Sequence, residues 1–472
     1  MSTCFRRILV GALLLFVLSP CTLRSEWRTL PTRQRIRSGA DTNAWVAVEK
    51  TVRLDLSRTA VVICDMWDRH WCASATRRVA EMAPRMNAFA AAARAGGALV
   101  IHCPSDTMEF YEGTPQRRLA QSAPVVEPRV PLQRWCSLDR TKEAPLPIDD
   151  SDGGCDDDSP PPKGPPYPWT RQIATLEIKE GDAVTDSAEA YYLMRQRGLT
   201  NVIVMGVHLN MCVLGRPFSI RQMVNQGQNV LLVRDLTDTM YNPRQRPFVP
   251  HCVGTELMIE HVEKFWCPTI TSAALLGGQP FRFSEDRRPH AVCLIGEDEY
   301  KTWETLPAFA RTELEWRGLR VSIIKESPAD KHQFPGLIEA LRDADLLVVS
   351  VRRRALPREQ LDAIRAHLDA GKPLVGLRTA SHAFAPRGRD AERAGAGTWT
   401  SFDADVLGGN YSGHHGAGPT TTVTLVADAK SHPVLTGVAA EDFRSRGSLY
   451  KVSPLKADAT VLLMGSIAGQ PA

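Results

Sequence analysis

The feature that most constrains the fold of this 472-residue chain is a twice-repeated alternation of short apolar runs with amphipathic segments. The first block runs "TAVVICDMW", "VAEMAPRMNAFAAAARAGG" and "ALVIHCPS". It continues with "ATLEIK", read as a strand ending at Lys179, the helical "DSAEAYYLMRQRG", the strands "NVIVMGV" and "NVLLVRDLTD", and the closing helix "GTELMIEHVEKFW". Nearly continuous apolar runs suit strands buried on both faces, and the helices between them suit right-handed crossovers. After "GGQPFRFSEDRRP" the rhythm restarts with "HAVCLIGEDEY", "TWETLPAFARTELEWRG", "LRVSII", "FPGLIEALRDA", "DLLVVSV", "PREQLDAIRAHLDAG" and "KPLVGLR". The expectation is an α/β chain of two doubly wound parallel-sheet (Rossmann-like, three-layer) domains, at 45–275 and 290–472, with a linker at 277–289.

The net charge of +4 is too mild to indicate a nucleic-acid partner, and no basic run is interleaved with aromatics. At the N-terminus, Arg6 and Arg7 precede an apolar core, Ile8 to Leu18, too short to span a bilayer comfortably. A signal peptide at 1–25 and an exported (periplasmic or extracellular) protein are expected; an uncleaved signal acting as a membrane anchor is the alternative. Residues 136–170 interrupt the alternation with "LPIDDSDGGCDDDSPPPKGPPYPW", acidic and rich in proline and glycine. Its six aspartates between Asp149 and Asp158 offer hard oxygen ligands for Ca2+, with Asp149, Asp150 and Asp152 as candidates. The spacing fits no EF-hand, so a solvated acidic loop is the preferred reading and no cofactor is expected. Cys136 and Cys155 flank this insertion and are plausible disulfide partners in an oxidising compartment.

In open parallel sheets, ligands sit beyond the carboxyl ends of the strands. Asp65, Lys179 and Cys212 occupy such positions here. Cys212 also precedes a helical segment whose early turn holds Pro217, and a helix N-terminus or a nearby cation lowers a thiol pKa. A carboxylate at hand would serve as general base. The competing reading makes Cys212 a buried packing residue, as free cysteines often are.

"VICDMW" and "IKEGDAVTDSAEAYYLMRQRGLTNVIVMGVHLNMCV", in this order, resemble the isochorismatase-like cysteine hydrolases, over roughly residues 50–275. The resemblance implies an Asp–Lys–Cys triad of Asp65, Lys179 and Cys212. It also implies a cis peptide at Val207–His208 and backbone oxyanion donors near His208 and Cys212. Cleavage of a small-molecule amide C–N bond through a Cys thioester would follow, and self-association into a homo-oligomer is frequent in that family. Trp67, Val207, His208, Asn210 and His102 are candidate pocket residues, each with a packing or capping alternative. Asp106 matches the first residue of the family's Asp-x-His metal motif, but Met108 stands where the histidine belongs, so a metal and a nicotinamide preference are not expected.

In the second block, "KPLVGLRTASHAF" places Arg378 at a strand-to-helix elbow where a glutamine-amidotransferase-like fold would hold its nucleophile. Arginine cannot take that role. This elbow, "DADVLGGNYSGHHG" and "SHPVLTGV" resemble the trehalose-utilisation (ThuA-like) family over 290–472. Arg378, His382, His414 and His415 are the candidate site residues, with Tyr411 and Trp399 as stacking surfaces for a carbohydrate ligand; ordinary surface roles are the alternative for the histidines. The chain stops after "VLLMGSIAGQPA", so a domain lacking its last strand and helix is expected. The main alternative to a hydrolase is a non-catalytic carbohydrate-binding or scaffolding protein. Sugar redox chemistry ranks last, because no GxGxxG follows a strand.

Overall fold

The computed structural model describes residues 27–37, 45–393, 395–416, 420–438, 443–467 and 470–471. The chain forms two compact units, the first ending at Ser284 and the second beginning at Glu285, a division inside the expected linker. The signal segment lies outside the described residues. Among the described residues, no helix is long and apolar enough to cross a membrane.

The first unit is built on eight strands: β1 Trp27–Arg37, β2 Trp45–Asp55, β3 Thr59–Cys64, β4 Leu99–Cys103, β5 Ala183–Val184, β6 Asn201–Gly206, β7 Asn229–Thr237 and β8 Thr269–Ile270. Their order is β2-β1-β8-β7-β6-β3-β4-β5. Strands β3 to β8 run parallel, while β1 pairs antiparallel with β2 and β8. β3 and β6 are buried at every position, as an apolar run covered on both faces must be. One face packs on the helix Ala73–Ala95 through Val79, Met82, Met86 and Phe89. The other packs on helices that contribute Tyr191, Met194, Met223 and Met258. β1 extends the unit ahead of the expected boundary at residue 45.

"ATLEIK" is not a strand. Residues 174–181 are turn and coil, and the strand in this part of the sheet is β5, four residues beyond Lys179. The insertion is coil, as its prolines require, but it is pinned rather than loose. Cys155 forms a disulfide with Cys72, not with Cys136; Cys136 is a buried free thiol that donates to Gln222 Oε1 at 3.2 Å. Asp156 pairs at 2.8 Å with Arg78, a guanidinium only 2% exposed that also binds Asp238 at 2.7 Å. Asp157 accepts from the Ser74 N–H at 2.6 Å, and Glu143 accepts from the His261 and Trp266 rings at 2.7 and 2.8 Å.

The second unit carries a parallel sheet of β9 His290–Gly296, β10 Arg320–Lys325, β11 Leu346–Val351 and β12 Leu374–Gly376, ordered β10-β9-β11-β12. The helices Leu337–Leu341 and Arg358–Asp369 cover it with Leu337, Ala340, Leu361 and Ile364. A separate antiparallel ribbon pairs Thr421–Leu425 with Leu463–Ile467. Both units are thus α/β with parallel sheets.

Candidate active site

In the first unit the chain winds from β3 outward to β4 and β5, then returns to the other side of β3 with β6. The strand order therefore reverses between β3 and β6, and the crevice beyond their carboxyl ends is where such a sheet exposes chemistry. Asp65 follows β3 directly, and Cys212 follows β6 after a short turn. Gly206 closes β6 at φ +116°, where an added Cβ would lie 2.1 Å from the Cys64 carbonyl oxygen. Only glycine allows the two strands this approach. The next peptide, Val207–His208, is cis.

Asp65 is fully buried at φ +47°. Its Oδ1 accepts from the Ser105 N–H at 2.7 Å. Oδ2 is buried with no hydrogen-bond partner of ordinary geometry, and Arg216 Nε lies 3.8 Å away. Arg216 also reaches Asp106 Oδ2 at 3.3 Å. Burial pushes the Asp65 carboxyl up, opposed by the Arg216 charge and by hydrogen bonding to Cys212 and Ser105. Burial and then the Asp65 charge push the Cys212 thiol well up, against the pull of Arg216. Cys212 therefore rests as a thiol, not as a preformed thiolate. The expected helix N-terminus does not help: the helix at Cys212 has only four residues, Cys212–Gly215, and Pro217 lies in the break before the next one, Ile220–Asn225.

Buried polar atoms without partners gather here: Asp65 Oδ2, Ser105 Oγ and Arg216 Nε. Buried polar groups are normally satisfied, so such a cluster marks a place prepared for something else. In the turn itself the N–H groups of Leu209, Met211 and Val213 are spent on backbone carbonyls. Among the described residues, those of His208 and Cys212 make no hydrogen bond.

Lys179 is not brought to this pair. Its Nζ binds Glu177 at 3.0 Å and its side chain is 52% exposed, because it precedes β5 instead of ending it. Arg216 supplies the cation beside the carboxylate. The sequence reading missed Arg216, although its signal was legible: it lies four residues after Cys212, a separation that places two residues on one helical face. The Arg216 N–H indeed donates to the Cys212 carbonyl at 3.0 Å.

The other candidates divide. Trp67 donates from its ring N–H to the Ser105 carbonyl at 3.0 Å and stacks on Trp169 of the insertion at 4.3 Å, with Tyr167 stacked beyond at 4.4 Å. His208 is buried and meets the His70 ring edge-on at 5.2 Å. Burial keeps both imidazoles neutral, His70 at about 4 and His208 well below its ordinary value. Val207 is core. Asn210 is spent, giving its amide to Asp150 at 2.7 Å and to the Met240 carbonyl at 3.0 Å. His102 is clamped between Gln172 and Asp182 at 2.9 and 3.2 Å.

Asp149 accepts from Ser151 and Asp152 from Asn242. Among the described residues, Asp149, Asp150 and Asp152 join no convergent group of metal-ligating side chains.

In the second unit, Arg378, His382 and His414 converge on Tyr450. His415 enters through its backbone, its N–H donating to the Leu449 carbonyl and its carbonyl meeting the His414 ring Nδ1 at 3.0 Å. Trp399 lies elsewhere, under Arg365 and against the core.

No protein-family model matches the chain, and neither does any curated protein. Solved structures similar to it include members of the two groups that the motifs resemble. A cysteine hydrolase from Pseudomonas syringae pv. phaseolicola 1448A is 17% identical, covering 47% of this chain and 91% of its own, at a TM-score of 0.29. An isochorismatase from Pseudomonas putida KT2440 is 16% identical, covering 47% and 92%, at 0.29. A protein from Bacteroides uniformis ATCC 8492, described as ThuA-like, is 18% identical, covering 40% and 72%, at 0.30.

Proposed function

We propose that the first unit is an exported cysteine hydrolase that cleaves the C–N bond of a small amide, with Cys212 as nucleophile, Asp65 as general base and Arg216 as the cation that holds Asp65 ionised. The observation that carries this is the buried, unpartnered Asp65 Oδ2 next to the Cys212 thiol and 3.8 Å from Arg216 Nε. The Asp65 carboxylate takes the thiol proton as sulfur bonds to the substrate carbonyl carbon. The oxyanion that forms is met by the free N–H groups of His208 and Cys212. The proton on Asp65 passes to the nitrogen, the C–N bond breaks and an amine or ammonia leaves. Water, deprotonated by Asp65, then attacks the thioester; the C–S bond breaks, the proton returns to sulfur, and the carboxylic acid is released. Neutral His70 and His208 and the Trp67–Trp169 stack favour an uncharged substrate. The Cys72–Cys155 disulfide supports export to an oxidising compartment.

The test is ammonia release from a panel of small primary amides by the full chain and by Cys212→Ala. Release by the wild type that the variant abolishes supports the reading. Release that survives in the variant, or none from any amide, sinks it and leaves the fold as a binding scaffold.

A further inference from the structure

The second unit repeats the topology of the first: β9 is followed on one side by β10 and on the other by β11, so its own reversal lies between β9 and β11. Tyr300 lies shortly after β9, Arg352 and Arg353 directly after β11, and Arg378 two residues after β12. Of these, Arg378 and Tyr300 meet at the Tyr450 ring, and the Arg353 guanidinium donates to the Ala385 carbonyl of the elbow at 3.2 Å. The Arg378 guanidinium lies between Tyr300 and Tyr450, 4.6 and 4.5 Å from their centroids, and donates to the Ser448 hydroxyl at 2.7 Å. His382 stacks on Tyr411 at 4.6 Å, and Tyr411 packs on Tyr450 at 4.7 Å. The Arg353 N–H donates to the His382 carbonyl at 3.1 Å, joining the β11 end to the elbow.

The positive charge here lacks compensation. Arg352 pairs with Glu299 at 3.0 Å, but among the described residues no carboxylate pairs with Arg353, Arg378 or Arg387. Burial and then the charges of Arg353, Arg352 and Arg387 hold His382 at about 4. Arg353 and Arg378 also take left-handed backbone, φ +52° and +43°. Non-glycine residues hold such angles only where the surroundings enforce them, most often at ligand sites. By contrast, Arg354 next door is neutralised by Glu326 and Asp298 at 2.9 and 3.0 Å.

We propose that the carboxyl ends of β9, β11 and β12 form a binding site for a small organic oxyanion, its carboxylate or phosphate held by Arg353, Arg378 and Arg387 and its carbon frame laid against Tyr411 and Tyr450. Guanidinium forks match oxyanions in geometry as well as charge, and the stacked tyrosines offer a flat apolar wall. The Tyr300–Arg378–Tyr450 sandwich fixes one donor before the ligand arrives.

The experiment is calorimetric titration of the full chain with inorganic phosphate, glucose 6-phosphate, gluconate and glucose. It is repeated on Arg353→Gln, Arg378→Gln, Arg387→Gln and, as control, Arg393→Gln, whose partner is Asp330. At least one anion is expected to bind while glucose does not, with affinity about tenfold or more weaker in each of the first three variants and unchanged in the control. Binding of glucose 6-phosphate alone would identify a phosphate, and of gluconate alone a carboxylate. Exposed Arg387 keeps the test intact if a more buried variant unfolds. Failure of every anion to bind, equal binding by all variants, or binding of glucose as tight as that of the anions would overturn the proposal.

Discussion

At the residue scale, the site turns on which of two buried groups holds a proton. Burial raises both Asp65 and Cys212; the Asp65 charge raises the thiol further, whereas Arg216 and then the hydrogen bond from Cys212 pull Asp65 down, and Arg216 also pulls the thiol down. Turnover needs ionised Asp65, so kcat/KM should rise with pH along an acid limb lying above the ordinary carboxylate range. Arg216→Ala should move that limb up by about 1–3 pH units, read from the pH profile, while Lys179→Ala should change kcat/KM by no more than about twofold, as for any exposed side chain without a special partner. Asp65→Asn should lower kcat/KM by about 10²–10⁴. The same variant removes the charge that holds the thiol proton, so iodoacetamide should alkylate Cys212 at lower pH than in the wild type. Faster alkylation with lost turnover distinguishes a general base from a merely structural carboxylate. Cys212 and Asp65 were legible in the sequence because both lie just past the end of an apolar run. The cation was misplaced: Lys179 follows "ATLEI", a strand-like string that the fold uses as a turn, while the four-residue spacing from Cys212 to Arg216 was passed over.

At the element scale, the insertion shows why composition misleads. Six aspartates among prolines and glycines read as solvated, yet their partners lie on distant segments that no local window contains. Arg78 of the long helix takes Asp156, Asn210 takes Asp150 and Asn242 takes Asp152. Glu143 is the deepest anchor: burial pushes its carboxyl up, but bonds from His261, Arg221 and Trp266 outweigh this and hold it at about 2. A depressed carboxyl contributes stability that is whole above its unfolded pKa and lost as pH falls through the folded one. The insertion's anchoring should therefore weaken between about pH 4.5 and pH 2, by about 3 kcal/mol, seen as a fall in Tm over that window that Glu143→Gln abolishes. Glu143→Gln should itself lower stability at pH 7 by about 3–5 kcal/mol, because it strands the buried Arg221. The disulfide closes a segment with a sequence separation of 83, and Cys155→Ser should lower stability by about 4 kcal/mol on chain-entropy grounds. The pairing could not be read from the sequence, since Cys72 starts a helix and gave no sign of facing the insertion. The β1–β2 hairpin also escaped notice, because only Leu30 and Thr32 of β1 are buried and so sparse a pattern has little period to detect.

At the scale of the whole molecule, the alternation of apolar runs and helices foretold two parallel sheets, and each sheet places its chemistry by the same rule. Beyond β3 and β6 the strand ends carry a carboxylate, a thiol and a guanidinium; beyond β9, β11 and β12 they carry guanidinium groups and tyrosines. The second cluster was legible only in part. Arg378, His382 and His414 were marked from the elbow and the histidine-rich loop, whereas Arg353 came from "VRRRALP", a charge run that ordinarily signals a solvated surface. Every side chain of the first site belongs to the unit ending at Ser284, and every one of the second to the unit beginning at Glu285. Loss at one site therefore need not disturb the other. In the full chain, Cys212→Ala should abolish amide hydrolysis and leave the Kd for the anion that binds unchanged within about twofold, while Arg378→Gln should weaken that anion about tenfold and leave kcat/KM for the amide unchanged within about twofold, as for independent sites with no shared partner. A saturating dose of the anion should likewise leave kcat/KM where it was. If the anion instead shifts kcat/KM severalfold and Cys212→Ala shifts the anion's Kd, the two sites share a coupling free energy, and the chain is a regulated hydrolase rather than two independent activities on one polypeptide.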